Sequence, residues 1–277
     1  MANDSQKLQG VGLGYRLPLA QQLLDQLPPL DFLEIAPENW INVGGKRQKQ
    51  LQKLHQHYPL VGHGLSLSLG SQDPLDRKFL KQLGKFLQDQ EIIFYSEHLS
   101  YSSHQGQLYE LLPIPFLEQA VSHVVARIQQ VQDYLQRPLI IENISYYCAQ
   151  PAELSELEFI QQILQQSDCQ LLLDINNVYV NSINHDYVAA DFIKKLQGYP
   201  VTYLHIAGHQ QLNNHLLIDT HGSPVSEPVW ELLQLAYQTF GPLPTLLERD
   251  FSIPPLEELL AEIAIIKNLQ SNYQGQR

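Results

Sequence analysis

Short runs rich in Val, Ile, Leu, Phe and Tyr punctuate the chain, and each gives way to polar residues within a few positions. They are VGLGYR from Val11, FLEIAP from Phe32, LVGHGLSL from Leu60, IIFYSEHLS from Ile92, LIIEN from Leu139, LLLDINN from Leu171, VTYLHIAG from Val201 and TLLERD from Thr245. Several are continuously apolar rather than alternating, the pattern of strands buried on both faces. The segments between them have room for a helix. The clearest helical pattern spans Pro115 to Gln136, where Phe116, Ala120, Val124, Ile128, Val131 and Leu135 recur at three- or four-residue steps. Ser155 and Glu158 have capping-box spacing ahead of FIQQIL. Ser226 followed by Pro228 suits a helix start before VWELLQLAY.

Strand and helix therefore alternate from end to end, and the right-handed crossover rule favours a parallel sheet closed on itself. The expected fold is α/β, a (β/α)8 TIM barrel forming a single domain over residues 1–277, a length normal for that architecture. An open doubly wound sheet is the alternative, but GVGLGYR lacks the GxGxxG spacing of a dinucleotide-binding turn. No linker, low-complexity tract or clear repeat divides the chain.

Composition narrows the chemistry. Hydrophobic residues make up 44% and charged residues 17%, a globular rather than disordered balance. With 17 Lys and Arg against 29 Asp and Glu, the net charge of -12 repels a polyanion, so nucleic acid is not an expected partner. Cys148 and Cys169 are the only cysteines and form no CxxC motif, which points to a cytosolic protein whose metal ligands are not thiolates. MANDSQKLQG lacks a basic region followed by an apolar stretch, and no apolar run approaches the roughly 20 residues of a membrane span. A cytoplasmic location, with no membrane partner, is expected.

The polar residues that end the strand-like runs carry the functional signal. GHG contributes His63, SEHLS contributes Glu97 and His98, IEN contributes Glu142 and Asn143, and LDINN contributes Asp174 and Asn177. YLHIAGH adds His205 and His209, IDTHG adds Asp219 and His221, and LLERD adds Glu248. In a parallel barrel the carboxyl ends of the strands converge on one face, so these side chains would meet around a metal site. Imidazole and carboxylate without thiolate suit Fe, Mn, Zn or Co, and two histidines with one carboxylate favour non-heme Fe(II) chemistry. His63, His98, Glu142, Asp174, His205, Asp219, His221 and Glu248, with Asn177 as an amide oxygen, exceed what one ion takes. The surplus points to two or three ions with Glu142 as a bridge.

Each histidine taken alone is more often a structural residue than a ligand; the collective placement is what weighs the other way. A buried carboxylate costs several kcal/mol unless paired or metal-bound. Few cations lie beside these runs apart from Arg249. Glu97, Asn143 and His209 are expected to support ligands or substrate, as are His185 and His215 on loops of the same face. Glu34 and Glu38 could orient a ligand or hold a substrate amine, although Glu38 could equally cap a turn. Tyr15, Arg16, Trp40, Tyr101, Tyr146 and Tyr179 could line the mouth, where aromatics most often serve packing. His55, His57, His104 and His123 are expected to be solvated.

Taken together, GLSLSLGS, EHLSYS, IENISYY, LDINNVYVNSINH, YLHIAGH, DTHG and LLERD resemble the multinuclear non-heme iron-dependent oxidative enzymes, long grouped as domain-of-unknown-function family 692. The resemblance runs from GVGLGYR through ERD. It implies a (β/α)8 barrel holding two or three iron ions in mixed Fe(II)/Fe(III) states, with O2 as co-substrate. It also implies a ribosomally made precursor peptide as substrate, modified at a residue such as cysteine, as in methanobactin biosynthesis, and a small partner protein that recruits the peptide. Carried onto this chain, it puts His63, His98 and Glu142 around one iron, and Asp174, His205 and Glu248 with shared Glu142 around a second. Asn177, His209, Asp219 and His221 fall at a third site or its surroundings. Glu142, His98 and Asp174 are then the expected catalytic residues. Tyr101 departs from the pattern, standing where tryptophan is more usual.

Two other classes fit the residues. One is a zinc- or manganese-dependent hydrolase or isomerase on the same barrel, comparable to endonuclease IV or sugar isomerases. The acidic charge argues against the nuclease, and the absence of a strand-end lysine argues against some isomerases. The other is a non-catalytic metal- or peptide-binding module, which the full ligand set argues against.

Overall fold

Each apolar run supplies one strand to a closed parallel barrel in the computed structural model, which describes residues 8–148 and 150–273. The strands are β1 (Val11–Gly14), β2 (Phe32–Ile35), β3 (Leu60–Gly64), β4 (Tyr95–His98), β5 (Ile140–Glu142), β6 (Gln170–Asp174), β7 (Val201–Ile206) and β8 (Thr245–Leu247). Sequential strands are neighbours throughout, and β8 closes on β1 through Val11 beside Thr245. The register sets Gly14 beside Glu34, His98 beside Glu142 and Asp174 beside His205. These pairings line polar residues up along one rim.

Helices cover the outside: α1 (Ala20–Gln26), α2 (Gly45–His55), α3 (Arg77–Asp89), α4 (Glu118–Leu135), α5 (Glu156–Ser167), α6 (Ile175–Asn184), α7 (Ala189–Lys195), α8 (Glu227–Phe240) and α9 (Leu256–Ser271). The crossover from β6 to β7 carries both α6 and α7. Ser155 opens α5 with a complete capping box, as its spacing to Glu158 predicts. Helix α4 starts at Glu118 rather than Pro115, because Phe116 is bridged to Ala152 and Leu117 is still extended. Likewise β4 begins at Tyr95 rather than Ile92, since the Ile92 N–H bonds back to the Leu87 carbonyl of α3. Two hairpins not expected from the sequence follow β4 and β7: Tyr101–Ser103 with Gln107–Leu112, and Gln210–Asn213 with Leu216–Ile218.

The core has two compartments. Outward-facing strand residues such as Leu13, Ile141, Leu173 and Leu247 pack against the helices. Inside the barrel, Phe32, Val61, Ile140, Leu172, Tyr203 and Leu246 form a separate apolar floor, closed from below by Leu8. Phe32 and Tyr203 meet edge to face with centroids 5.8 Å apart. The Phe32 ring fills the place a side chain on β1 would take: a Cβ at Gly12 would lie 2.2 Å from it. Only glycine permits that approach. Among the described residues no helix is long and apolar enough to cross a membrane.

Candidate metal centre

Successive inward positions on a strand are two residues apart, so the layer above the floor is fixed by the same alternation. Phe32 is followed inward by Glu34, Val61 by His63, Ile140 by Glu142, Leu172 by Asp174, Tyr203 by His205 and Leu246 by Glu248. All six upper residues are buried. Strand β4 adds His98 from its last position.

Three overlapping groups result. His63 Nε2 lies 3.1 Å from His98 Nε2 and 3.0 Å from Glu142 Oε2, and His98 Nε2 is 3.3 Å from the same oxygen. The other ring nitrogen of each histidine is engaged: His63 Nδ1 donates to Ser96 Oγ at 2.8 Å, and His98 Nδ1 donates to the Gly64 carbonyl at 2.9 Å. Both Nε2 lone pairs therefore face the site. Ligand atoms of Glu142, Asp174, His205 and Glu248 lie within 4.8 Å of one another in the second group. Asp174 Oδ1 caps α6 by accepting from the Asn177 N–H at 2.6 Å. Asn143 brackets the Asp174 backbone with two hydrogen bonds. Around the third group, His221 Nε2 stands 2.7 Å from Asp219 Oδ1, while His221 Nδ1 is 3.6 Å from Glu248 Oε2. His221 has φ of 48°, in the left-handed region that is uncommon for a non-glycine residue.

Five buried atoms of the predicted ligands have no hydrogen-bond partner among the described residues: Glu142 Oε2, Asp174 Oδ2, Asn177 Oδ1, His205 Nδ1 and His221 Nε2. Such atoms cost stability when left alone, and all five belong to residues with hard or borderline metal-donor atoms. Glu142 Oε2, His205 Nδ1 and His221 Nε2 each lie about 3 Å from a donor atom of another cluster residue, so the donor set fits a bound metal cluster.

The electrostatics without an ion are strongly coupled. Burial works to raise Glu142, but the His63 and His98 imidazoles hold its carboxyl well below the usual range. Burial, then the charges of Glu142 and Asp219, push Asp174 well above it. Burial would lower His98, yet Glu142 and Glu97 bring it up to about 9. His221 is likewise raised against burial, by Asp219 and Glu248. A divalent cation would replace protons in this network.

The remaining predicted residues divide. His209 Nδ1 donates to Asn176 Oδ1 at 2.8 Å, and Asn176 Nδ2 donates to Asp219 Oδ1 at 2.8 Å, so His209 steadies Asp219 at one remove. Asn176 was not anticipated, although it is the first residue of the LDINN doublet. Glu97 points out of the barrel, where its Oε2 accepts from the Leu67 N–H and the Tyr95 hydroxyl. Glu38 Oε1 accepts from the Leu65 N–H, ordering the loop after β3. His185 stacks on Tyr146 at 3.9 Å and donates to its carbonyl, away from the cleft, so a substrate contact is not supported. Tyr101 packs on the core and its neighbour Ser102 lines the cleft instead. His123, expected in solvent, donates to the Ser71 carbonyl. Arg249 turns outward to Glu262 at 2.5 Å, as the strand period requires with Glu248 inward. The cation beside the site is Arg16, whose Nε donates to Asp250 Oδ1 at 2.6 Å. Asp250 in turn accepts from His221 Nδ1 at 3.3 Å and was also missed, lying past the end of its strand.

Above the cluster opens a cleft of about 910 Å³. Its base holds His63, His98, Glu142, His221 and Glu248, and its walls include Trp40, Leu65, Tyr109, Tyr147 and Phe251. Tyr109 is 88% exposed and Phe251 68% exposed, so the rim presents apolar side chains to solvent beside a buried ionic base.

Comparison with known proteins agrees with this architecture. Residues 10–271 match the family described as RiPP precursor modification enzyme MbnB/TglH/ChrH, RiPP denoting ribosomally made and post-translationally modified peptides. A UPF0276 protein of Shewanella loihica is 51% identical over 262 residues, covering 94% of each chain. One of Pseudomonas aeruginosa is 48% identical over 262 residues, covering 94% of this chain and 92% of its own. Among solved structures, endonuclease IV from Thermus thermophilus superposes with a TM-score of 0.60 at 13% identity, covering 95% of this chain and 99% of its own. D-psicose 3-epimerase from Clostridium cellulolyticum, solved with D-tagatose, gives 0.57 at 13% identity, covering 96% of both. At such identities the structural likeness speaks to the barrel alone.

Proposed function

Because this chain belongs to the MbnB/TglH/ChrH family of RiPP precursor modification enzymes, we propose that it is a multinuclear non-heme iron enzyme that uses O2 to modify a cysteine of a ribosomally made precursor peptide. The observation that carries this reading is the set of five buried donor atoms without partners, gathered beneath an open cleft with an apolar rim. His63, His98 and Glu142 would hold one ion, and Asp174, His205 and Glu248 with Glu142 a second. Asn177, Asp219 and His221 would hold a third. Iron bound there would supply O2 activation and Lewis acidity toward a substrate thiolate.

The chain's own residues do the rest. Ser96 and the Gly64 carbonyl orient the two histidines of the first group. The floor beneath excludes water from below, and the cleft walls position an extended peptide over the ions. Trp40, Tyr109 and Phe251 offer surface to its apolar side chains. A small partner protein that recruits the peptide belongs to the same proposal, docking near this exposed rim.

Anaerobic purification, metal quantification and Mössbauer spectra of iron-57-labelled protein before and after O2 test the reading. Two or three irons per chain with a mixed-valence signal that responds to O2 are expected. Stoichiometric zinc or manganese, with activity indifferent to O2, would sink it in favour of a hydrolase or isomerase.

A further inference from the structure

Each histidine of the cluster must present a lone pair to a metal, and each does so by committing its other nitrogen to an acceptor. For His63 and His98 that acceptor is neutral, a serine hydroxyl and a backbone carbonyl. His205 differs. Its Nε2 donates at 3.0 Å to Glu34 Oε2, an inward-facing carboxylate from the opposite part of the chain, and both side chains are buried. The hydroxyl of Tyr203, two residues before His205 on the same inward face of β7, donates to that same oxygen at 3.0 Å. His205 Nδ1 is left 3.4 Å from Glu142 Oε1 and 3.2 Å from Glu248 Oε2, without a hydrogen-bond partner.

From this geometry we propose that Glu34 is a positioning residue for the metal centre: it locks His205 with Nδ1 facing Glu142 and Glu248, with which it would hold an ion, and Tyr203 locks Glu34. A carboxylate acceptor polarises the imidazole more than a hydroxyl or carbonyl does, so the His205 nitrogen is a stronger imidazole donor than those of His63 and His98. The two halves of the centre thereby differ in the supports of their histidines as well as in their ligand types. Strand β1 makes room for the arrangement. Its inward positions are Gly12 and Gly14, and no β1 side chain competes with Phe32 or Glu34 for the barrel interior.

The inference concerns divalent metal binding at His205 and stands apart from iron, O2 and any peptide. The test uses the full chain, stripped of metal and titrated with Zn(II) against a chromophoric chelator, then loaded with Co(II) for its ligand-field absorption bands. His205→Ala identifies the binding step that involves this residue. Glu34→Gln is expected to weaken that step by about 10- to 100-fold and shift the Co(II) bands, and to add nothing further when combined with His205→Ala. Tyr203→Phe, which leaves the carboxylate in place, is expected to weaken the step less than Glu34→Gln does. Zn(II) affinity within about threefold of the parent with unchanged Co(II) bands in Glu34→Gln would overturn the proposal, as would full additivity with His205→Ala. Should Glu34→Gln not fold, Glu34→Asp, which draws the carboxylate back by one methylene, carries the same expectations.

Discussion

The floor of the barrel and the ligand layer above it are built on the same strands and the same inward faces, two residues apart, and they have opposite energetics. Phe32, Val61, Ile140, Leu172, Tyr203 and Leu246 bury apolar surface, each large side chain contributing about 1.5–3 kcal/mol to folding. Glu34, His63, Glu142, Asp174, His205 and Glu248 bury ionisable groups, three of them with atoms that find no hydrogen-bond partner among the described residues. One layer is finished by the polypeptide; the other leaves donor atoms that a bound metal would complete. Stability and function are thus separated by about 7 Å of strand.

That separation is broken most severely at Glu142, whose carboxylate touches both the His63–His98 pair and His205. Glu142→Gln keeps the shape but loses the charge that, on the proposed reading, would bind ions to both groups. Its metal content is expected to fall, and turnover to drop by more than about 100-fold. The far-ultraviolet circular dichroism should stay that of the parent. Full activity with parental iron would remove the bridging role. The opposite break is Leu172→Ala in the floor. A loss of about 2–5 kcal/mol in urea unfolding is expected, with Zn(II) affinity within about threefold of the parent. A large affinity loss there would mean that the two layers are not energetically distinct.

Much of this layering was legible in the sequence. LIIEN and LLLDINN are apolar runs that end in a carboxylate, so strand and ligand announce each other. Glu34 is harder, because FLEI reads as an ordinary strand until period two places Glu34 on the same face as Phe32. Arg249 illustrates the same rule in reverse: adjacent to Glu248, it must face outward, and the cation of the site comes instead from Arg16, far away in sequence. Asp250 and Asn176 act through contacts between loops and helix ends that no local pattern encodes. The hairpin strands Gln107–Leu112 and Gln210–Asn213 are not legible because every residue in them is exposed, and neither forms the continuous apolar run of a strand buried on both faces.

A second comparison sharpens what the ligand layer does to a carboxylate. Glu156 at the start of α5 is buried, as Glu142 is, but its neighbours are neutral: Asn181 Nδ2 donates to Oε1 at 3.2 Å, and the Tyr187 hydroxyl lies 3.5 Å from Oε2. Burial pushes Glu156 from 4.5 up to about 8, where imidazoles pull Glu142 down. A carboxyl raised on folding binds its proton more tightly in the native state, so its contribution is intact below the unfolded value and is lost as pH rises. Between about pH 4.5 and 8 the protein should lose on the order of a few kcal/mol from this group. Glu156→Gln, a mimic of the protonated form, should flatten that part of the stability profile and exceed the parent above pH 8. An unchanged slope in urea unfolding across this window would show that Glu156 does not titrate there.

The smallest effect tests whether the ligand layer is a burden on the metal-free chain. Asp174 holds its helix-capping role through Oδ1, and its Oδ2 is buried without a partner near the charges of Glu142, Asp219 and Glu248. Asn in its place keeps an acceptor for the Asn177 N–H and puts an amide donor where the lone oxygen stood. Metal-free Asp174→Asn is therefore expected to be more stable than the metal-free parent by about 1 kcal/mol. Metal should reverse the order. Excess Zn(II) stabilises whatever binds it in the folded state, by an amount set by affinity, and the variant has given up a charged ligand. Thermal unfolding of both proteins with and without Zn(II) should thus give curves that cross over. If Asp174→Asn destabilised the metal-free protein, the carboxylate would be serving the fold, and the division between a floor that stabilises and a layer that waits for metal would fail at this strand.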